Sequence, residues 1–149
     1  MGTETYLEVL SRGDCLRLLP TVPVGWLAYC HPSPPQLVLV NFVVHGDEVV
    51  ARTNYGSKLA AAAHGLVMSF GVGDTDPSTR TGWTVTVTGR ARLMGNLEVR
   101  PSPELAPLES WAPGYRDIHI GIPIDDVSGR RIRTPQGSHR GDTSCARPP

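Results

Sequence analysis

The chain has 149 residues, of which 40% are hydrophobic and 19% are charged. This length and composition are typical of one folded globular domain and not of a disordered chain. The formal net charge is zero, from 14 basic and 14 acidic side chains. No overall basic field therefore favours binding to nucleic acid or to an anionic membrane.

Cysteine, histidine and hydropathy patterns exclude several further classes. Three scattered cysteines, Cys15, Cys30 and Cys145, predict reduced thiols and no disulfide framework. The five histidines show no ligand spacing, so no metal site is predicted. The N-terminus lacks the pattern of a signal peptide, and no apolar run of about 18 residues could span a membrane. We therefore expect a cytoplasmic protein.

In chain order, the first predicted element is a short amphipathic helix from Ser11 to Leu19, with Leu16 and Leu19 on its buried side. Segments with the pattern of β-strands follow, separated by turn-rich stretches. The six predicted strands cover residues 24–30, 36–44, 48–53, 66–72, 83–94 and 118–125. Residues 73–82 are predicted as a polar loop, and residues 103–111 as a short helix. This order predicts a mainly β fold, a small and mostly antiparallel β-barrel with helices packed outside.

Residues 36–44, QLVLVNFVV, form the most apolar segment. Both of its faces are hydrophobic, which predicts a central strand covered on both sides. Asn41 is the exception, because a buried amide without partners costs about 1–3 kcal/mol. Asn41 is therefore expected either to bond neighbouring backbone or to face a polar ligand. Trp83, which opens the alternating strand 83–94, is expected to be a core residue, a dimer contact or a stacking platform for a ligand.

Residues 51–65, ARTNYGSKLAAAAHG, place basic side chains at the start of a predicted helix. Ser57 is the predicted N-cap, and the alanines that follow favour a helix. Lys58 in the first turn opposes the helix dipole, and Arg52 adds a second positive charge just upstream. Either these cations are simply solvated, or they bind an anion such as phosphate together with the free N–H groups of the first turn.

Several motifs resemble the short bacterial members of the FMN-binding split-barrel superfamily, the pyridoxamine 5'-phosphate oxidase-like proteins. The resemblance covers residues 10–133, and the order and spacing of the motifs are more specific than any one of them. The motifs are NFVV at 41–44, RTNYGSK at 52–58, GWTV at 82–85, VTGRA at 87–91, WAPG at 111–114 and VSGRRI at 127–132.

The resemblance implies a six-stranded antiparallel split barrel that acts as a homodimer with a flavin at the interface. It implies that Thr53, Ser57 and Lys58 bind the flavin phosphate, with Arg52 beside them. Asn41 is expected to face the polar edge of the flavin ring. Trp83 and Thr84 are expected to line the ring, from the same subunit or from its partner.

Two departures from the full-length oxidases affect the expected cofactor and activity. Those oxidases carry Arg-x-Val-Leu-Leu-Lys on the strand that corresponds to residues 36–41, whereas Gln36 and Asn41 stand here at the two basic positions. Arg52 stands where those oxidases have an aromatic residue. The substrate-binding C-terminal motif is also absent, so a true pyridoxamine 5'-phosphate oxidase is not expected.

The sequence therefore predicts an FMN-binding split-barrel protein, an oxidoreductase acting on a small molecule that the sequence does not identify. Residues 1–133 would form the flavin-binding domain, and residues 134–149 a disordered tail. One alternative is the same barrel binding the deazaflavin F420 or haem, since relatives of this barrel bind each of them. The other alternative is a non-enzymatic module that stores or senses a cofactor, because no catalytic acid or base can be named.

Overall fold

A computed structural model of the protein describes residues 4–30, 34–53, 65–94 and 118–135. Within these ranges the chain forms nine β-strands, one α-helix and one 3₁₀ turn. In chain order they are β1 (Tyr6–Val9), α1 (Arg12–Leu18), the 3₁₀ turn (Leu19–Thr21), β2 (Val24–Cys30), β3 (Pro35–His45), β4 (Glu48–Thr53), β5 (Val67–Asp76), β6 (Thr81–Arg90), β7 (Arg92–Met94), β8 (Ile118–Pro123) and β9 (Asp126–Arg133). The predicted helices after Ser57 and over residues 103–111 lie outside the described residues, as does most of the predicted tail.

The helix α1 begins as predicted. Ser11 is its N-cap, and the Ser11 hydroxyl accepts a hydrogen bond from the backbone N–H of Asp14 at 3.1 Å. The buried side is partly different from the prediction, because Cys15 and Leu19 are fully buried while Leu16 is 38% exposed. Cys15 and Leu19 are four residues apart, so they share a face near the end of this short helix, and Leu16 points about 100° away from Cys15.

The strands form one antiparallel sheet with the order β1-β9-β6-β5-β2-β3-β4-β8-β7. Only Ala91 separates β6 from β7. Because β6 pairs with β5 and β7 pairs with β8, this bent segment brings the β8 end of the sheet back towards the β5 side. The predicted split-barrel fold is thereby confirmed.

The predicted count of six strands is wrong, since the described residues form nine. Five predicted strands correspond to β2, β3, β4, β5 and β8, and the sixth is divided into β6 and β7 at Ala91. β1 and β9, which pair with each other, were not predicted from the sequence. β9 has the sequence DVSGRRIR, which has no apolar alternation, so pairing with strands distant in sequence determines its structure.

The predicted polar loop over residues 73–82 is shorter in the structure. β5 continues to Asp76 and β6 starts at Thr81, and these two residues are paired across the hairpin. A carboxylate oxygen of Asp76 accepts hydrogen bonds from the backbone N–H of Ser78 at 3.0 Å and from its hydroxyl at 2.6 Å. These bonds lower the pKa of Asp76, and they fold the polar residues into a tight turn.

The core lies on the inner face of the sheet. Phe42 on β3 and Phe70 on β5 meet edge to face, with ring centroids 4.7 Å apart, in a geometry that aromatic pairs prefer. Gly25 on β2 leaves room for this pair, because a Cβ at position 25 would collide with Cζ of Phe70. The fully buried core side chains include Leu19, Leu27, Met68, Val49, Val85, Val87, Ile120 and Ile122.

The prediction that β3 is covered on both faces holds for only part of the strand. Leu37 and Leu39 are 63% and 52% exposed, and Trp26, which is paired with Leu39, is 50% exposed. Further along the same face, Asn41 is only 7% exposed. The outer face of β3 is therefore open and apolar in its first half, but covered and polar at Asn41.

Candidate functional site

Three polar side chains lie next to one another on adjacent strands of the sheet. In the strand register, Asn41 of β3 is paired with Arg52 of β4, and Arg52 is paired with His119 of β8. Directly opposed residues have Cβ atoms about 4.5–5.5 Å apart and point to the same face of the sheet. We call Asn41, Arg52 and His119 the polar row.

The polar row lies on the outer face of the sheet, opposite the core. Phe42, Ala51 and Ile120 directly follow the three members of the row or precede them by one residue, and all three belong to the buried apolar core. Because side chains alternate between faces along a strand, the row points away from that core. Its polar groups are therefore not part of the packing inside the barrel.

Burial distinguishes the polar row from an ordinary surface. Asn41 is 7% exposed and His119 is 6% exposed, and they are the two buried polar side chains of the described residues. Val50 on the same face is fully buried. This part of the outer face is thus covered, and burying polar groups costs free energy unless they are hydrogen-bonded. Asn41 and His119 are therefore covered polar groups and not part of the solvated surface.

Beside the polar row, the outer face carries a fork-like ion pair. Arg92 of β7 donates to both carboxylate oxygens of Glu48 on β4, from Nε at 2.9 Å and from a terminal nitrogen at 2.7 Å. The pair passes over Gly121 of β8, where a Cβ would collide with Oε2 of Glu48. The carboxylate on this part of β4 is thus engaged by Arg92.

The structure brings together some of the residues predicted to bind phosphate. Arg52 lies in the polar row beside Asn41. Thr53 is the last residue of β4, directly after Arg52. Ser57 and Lys58 lie outside the described residues, so their part of the predicted site stays a prediction.

Trp83 and Thr84 lie elsewhere in the chain. They are on β6, which is separated from β4 by β5, β2 and β3, and four strand spacings measure about 19 Å along the sheet. β6 also contacts β8. One such contact lies at the end of β6 away from Trp83, where a Cβ at Gly89 would collide with the backbone oxygen of Pro123. Within one chain, Trp83 and Thr84 therefore do not join the polar row.

These two neighbours also point in opposite directions. Trp83 packs partly against the core, whereas Thr84 is exposed on the outer face. Trp83 lines a cavity of about 710 Å³ at one end of the barrel, between Tyr6 and the arginines Arg131 and Arg133. Within one chain, the side chains of Trp83 and Thr84 therefore lie on opposite faces of β6, and their predicted contact with the flavin ring stays a prediction.

Cys15 is a free, buried thiol. It is fully buried between α1 and β9, where a Cβ at Gly129 would lie 2.8 Å from its Sγ. Burial, followed by the nearby Asp14 carboxylate, raises the pKa of the Cys15 thiol. A protonated, buried thiol is unreactive, which agrees with a structural role. Among the described residues, no group of three or more His, Cys, Asp or Glu side chains could hold a metal.

His119 is the member of the polar row that the sequence analysis did not single out. In the sequence it is one polar position in an alternating isoleucine strand. The alternation already places His119 on the face opposite Ile120, but it does not show what lies beside it. Only the pairing of β8 with β4 brings His119 next to Arg52.

A family model described as pyridoxamine 5'-phosphate oxidase matches residues 11–131. The chain belongs to this family. It is also 32% identical over 135 residues to the uncharacterized protein Rv0080 of Mycobacterium tuberculosis, covering 85% of this chain and 88% of that protein.

Solved structures share the same fold. The FAD-binding protein of Mycobacterium smegmatis is 28% identical, with a TM-score of 0.67 over 84% of this chain and 97% of that chain. An FAD-binding protein of Mesorhizobium loti is 23% identical, with a TM-score of 0.70 over 84% and 97%. An FAD- and haem-binding protein of Mycobacterium smegmatis is 17% identical, with a TM-score of 0.62 over 88% and 74%. The last two likenesses establish the fold alone.

Across the four described ranges, no helix is both long enough and apolar enough to cross a bilayer.

Proposed function

We propose that the protein binds a flavin nucleotide, FMN in the first place, and holds its phosphate beside Arg52. The observation that carries the proposal is the burial of Asn41 next to Arg52 on a face that is not part of the core. A guanidinium offers several N–H donors in a planar fork that suits phosphate oxygens. The amide of Asn41 adds both a donor and an acceptor next to it.

The chain that follows Arg52 supports the same placement. Thr53 ends β4, and the predicted N-cap Ser57 and Lys58 come a few residues later. Backbone N–H groups at a helix start, a hydroxyl and an ammonium complement the charge of a phosphate. The FAD-binding protein of Mycobacterium smegmatis, at 28% identity, also supports a flavin. FMN and FAD both contain the ribityl phosphate that this site would hold.

A bound flavin would supply hydride transfer, and the protein would orient it and control access to it. We propose that the protein is an oxidoreductase acting on a small molecule. The residues that the structure describes would hold the phosphate end and exclude water from it by their burial. A module that only stores or senses the cofactor would bind flavin equally well, so reduction by NADH or NADPH and reoxidation by an acceptor separate the two.

We propose further that the functional unit is a homodimer. Trp26, Leu37 and Leu39 form an exposed apolar patch on β2 and β3, and exposed apolar patches mark interaction surfaces. Gly71 of β5 is paired with both Trp26 and Thr86 of β6. Thr84, two residues from Thr86, therefore lies on the same outer face as the patch, and dimerisation through the patch would carry it towards the partner.

The test begins with the small molecule that copurifies with the protein. Mass spectrometry and the absorption spectrum distinguish FMN, FAD, the deazaflavin F420 and haem. The flavin-free protein is then titrated with FMN and with riboflavin, which lacks the phosphate. In Arg52→Ala, FMN should bind about 10–150-fold more weakly, from the loss of about 1.5–3 kcal/mol for a charge-assisted hydrogen bond, while riboflavin binding should change little.

Arg92→Ala is the matched control for Arg52→Ala. Arg92 also lies on the outer face, but its guanidinium is engaged by Glu48, so its loss should leave FMN binding unchanged. Equal FMN affinities of the wild type and Arg52→Ala would show that the phosphate is bound elsewhere.

A further inference from the structure

We propose that the cavity beside Trp83 binds a small aromatic zwitterion, with its acidic group at Arg131, its ring on Trp83 and its basic group at Asp74. The cavity has a volume of about 710 Å³ and lies at one end of the barrel. Its walls include Tyr6, Asp74, Trp83, Arg131 and Arg133, and we call it the end cavity. The end cavity is separate from the polar row, which lies on the outer face of the sheet, so its ligand does not depend on flavin binding.

A row of directly opposed residues crosses three strands at the wall of the end cavity. Trp83 of β6 is paired with Asp74 of β5 on one side and with Arg131 of β9 on the other. Side chains of directly opposed residues point to the same face of a sheet. Val85, two residues from Trp83, is fully buried in the core. The row therefore continues the inner face of the sheet towards the end of the barrel.

Aromatic side chains provide the apolar part of the end cavity. Trp83 packs partly against the core and also lines the cavity. Tyr6 of β1 lines the same cavity and is 48% exposed. Because the core already holds the indole of Trp83, little side-chain freedom would be lost when a ligand binds. Aromatic rings attract one another in offset or edge-to-face contacts, so the end cavity suits a planar ring.

The charges of the end cavity are divided between its two sides. Arg131 and Arg133 are on β9, whereas Asp74 and Asp76 are on β5. β6 lies between these two strands, so the strands are two spacings, or about 9–10 Å, apart. A ring with an acidic and a basic group at opposite ends covers most of that distance, and the long arginine side chain covers the rest. The division of charge thus favours a zwitterion with its groups at opposite ends.

Protein contacts engage the outer charges of the end cavity more fully than those beside Trp83. Arg133 forms an ion pair with Glu8, with Nε 2.9 Å from Oε2. Asp76 accepts two hydrogen bonds within the β5–β6 turn. Asp74 accepts one hydrogen bond, from the backbone N–H of Thr75 at 2.9 Å. A carboxylate can accept several hydrogen bonds, so Asp74 can also accept from a ligand ammonium.

Arg131 is the cation that stands beside Trp83. It is half-buried, and the acidic group that senses its charge is Asp14 at the start of α1. Hydrogen bonds from Ser11 and from Arg17 lower the pKa of the Asp14 carboxyl most, and the charge of Arg131 lowers it least. Asp14 is therefore mainly a partner of its own helix. The planar guanidinium of Arg131 has five N–H donors, which suit a ligand carboxylate.

The test uses calorimetry on the full chain with para-(aminomethyl)benzoate, a benzene ring with an ammonium arm and a carboxylate at opposite ends. Saturable binding of one ligand per chain is expected. Three analogues each lack one feature. Benzylamine lacks the carboxylate and should bind about tenfold more weakly. para-Methylbenzoate lacks the ammonium, and the saturated cyclohexane analogue lacks the aromatic ring, and each should bind about threefold more weakly.

Two variants assign the two ends of the ligand. Arg131→Gln should weaken binding of para-(aminomethyl)benzoate about tenfold and leave binding of benzylamine unchanged. Asp74→Asn should weaken it about threefold, because Asp74 is exposed, and should leave binding of para-methylbenzoate unchanged. Arg130→Gln is the matched control. Arg130 is next to Arg131 on β9 but points to the opposite face, where it is paired with Thr84, so its loss should change neither affinity.

Two kinds of result would overturn the proposal. The first is a wild-type protein that shows no saturable binding of para-(aminomethyl)benzoate, or that binds all four compounds equally. The second is an Arg131→Gln or Asp74→Asn variant that weakens all the compounds alike, since a disturbed fold and not a lost ligand contact would produce that pattern. Neither result involves FMN, so the proposed flavin site is judged separately by its own titrations.

Discussion

The two halves of β3 show opposite relations between polarity and burial on one face. In the first half, the apolar side chains of Leu37 and Leu39 are exposed, and Trp26 on the neighbouring strand is exposed beside them. In the second half, Asn41 is polar and buried, and it is paired with Arg52. A few residues along one strand thus separate an exposed apolar surface from a buried polar one.

This contrast is informative because each half departs from the usual rule. Exposed apolar residues scattered singly need no explanation, but a contiguous patch does, and so does a buried polar group. The apolar half is the surface that we propose for a second copy of the chain. The polar half is the surface that we propose for the ligand. On the outer face of one strand, the two proposed functions would be direct neighbours, as a ligand at a dimer interface requires.

The largest effect is expected on the inner face of β3, where the side chains pack in the core and do not form a binding surface. Phe42 is 4% exposed and packs against Phe70, so Phe42→Ala should lower the free energy of unfolding by about 3–5 kcal/mol. Urea denaturation measures this change. Val9→Ala, at a position 69% exposed on β1, is the control and should stay within about 0.5 kcal/mol. A small effect of Phe42→Ala would mean that the core is not where the structure places it.

One charged side chain in the exposed apolar half of β3 should disrupt the proposed dimer contact. Leu39→Glu would place a carboxylate in the centre of the proposed dimer contact, and the dimer dissociation constant should rise at least about 100-fold, or about 2.8 kcal/mol. Sedimentation analysis over a range of concentrations measures it. Leu7→Glu makes the same change at a position 63% exposed on β1 and should leave the dimer intact. A wild-type protein that is monomeric at micromolar concentration would remove the dimer proposal.

The buried polar half should respond both in stability and in ligand binding. Asn41→Leu removes the amide and leaves any buried protein group bonded to it unsatisfied, which costs about 1–3 kcal/mol. The free energy of unfolding should fall by about that amount, and FMN binding should weaken roughly tenfold through the lost hydrogen bond to the ligand. Denaturation and fluorescence titration on the same sample measure both. A large loss of stability with unchanged FMN affinity would assign Asn41 to the bonding of neighbouring backbone.

The smallest expected effect belongs to the ion pair beside the row. The side chains of Arg92 and Glu48 are 43% and 23% exposed, so Arg92→Ala should cost only about 0.2–1 kcal/mol of unfolding free energy. That cost should shrink further at high salt, because ions screen exposed pairs. Thermal unfolding at two salt concentrations measures it. A cost above this range, or one that does not depend on salt, would show that the fork across Gly121 also holds β7 on β8.

Much of the fold was predictable because strand signals are local. Apolar runs and alternating patterns separated by turn residues located β2, β3, β4 and β8, and the cap at Ser11 located the start of α1. β1 and β9 escaped prediction because their stability comes from pairing with strands distant in the sequence. The exposure of Leu37 and Leu39 could not be predicted for a related reason, since an apolar side chain by itself does not show whether another element covers it.

The candidate site also combines features that the sequence determined with features that only the tertiary structure decided. By itself, the sequence determined that Asn41 interrupts an apolar strand, that Arg52 ends the next strand beside Thr53, and that the motifs belong to a split-barrel family. Only the tertiary structure decided that Asn41 and Arg52 share a covered outer face, that His119 completes the row, and that Trp83 and Thr84 point to opposite faces far from it. The physical reason is that periodicity along the chain sets the face on which a side chain lies. Its neighbours across the sheet depend on strand order and register, which are set by contacts between distant segments.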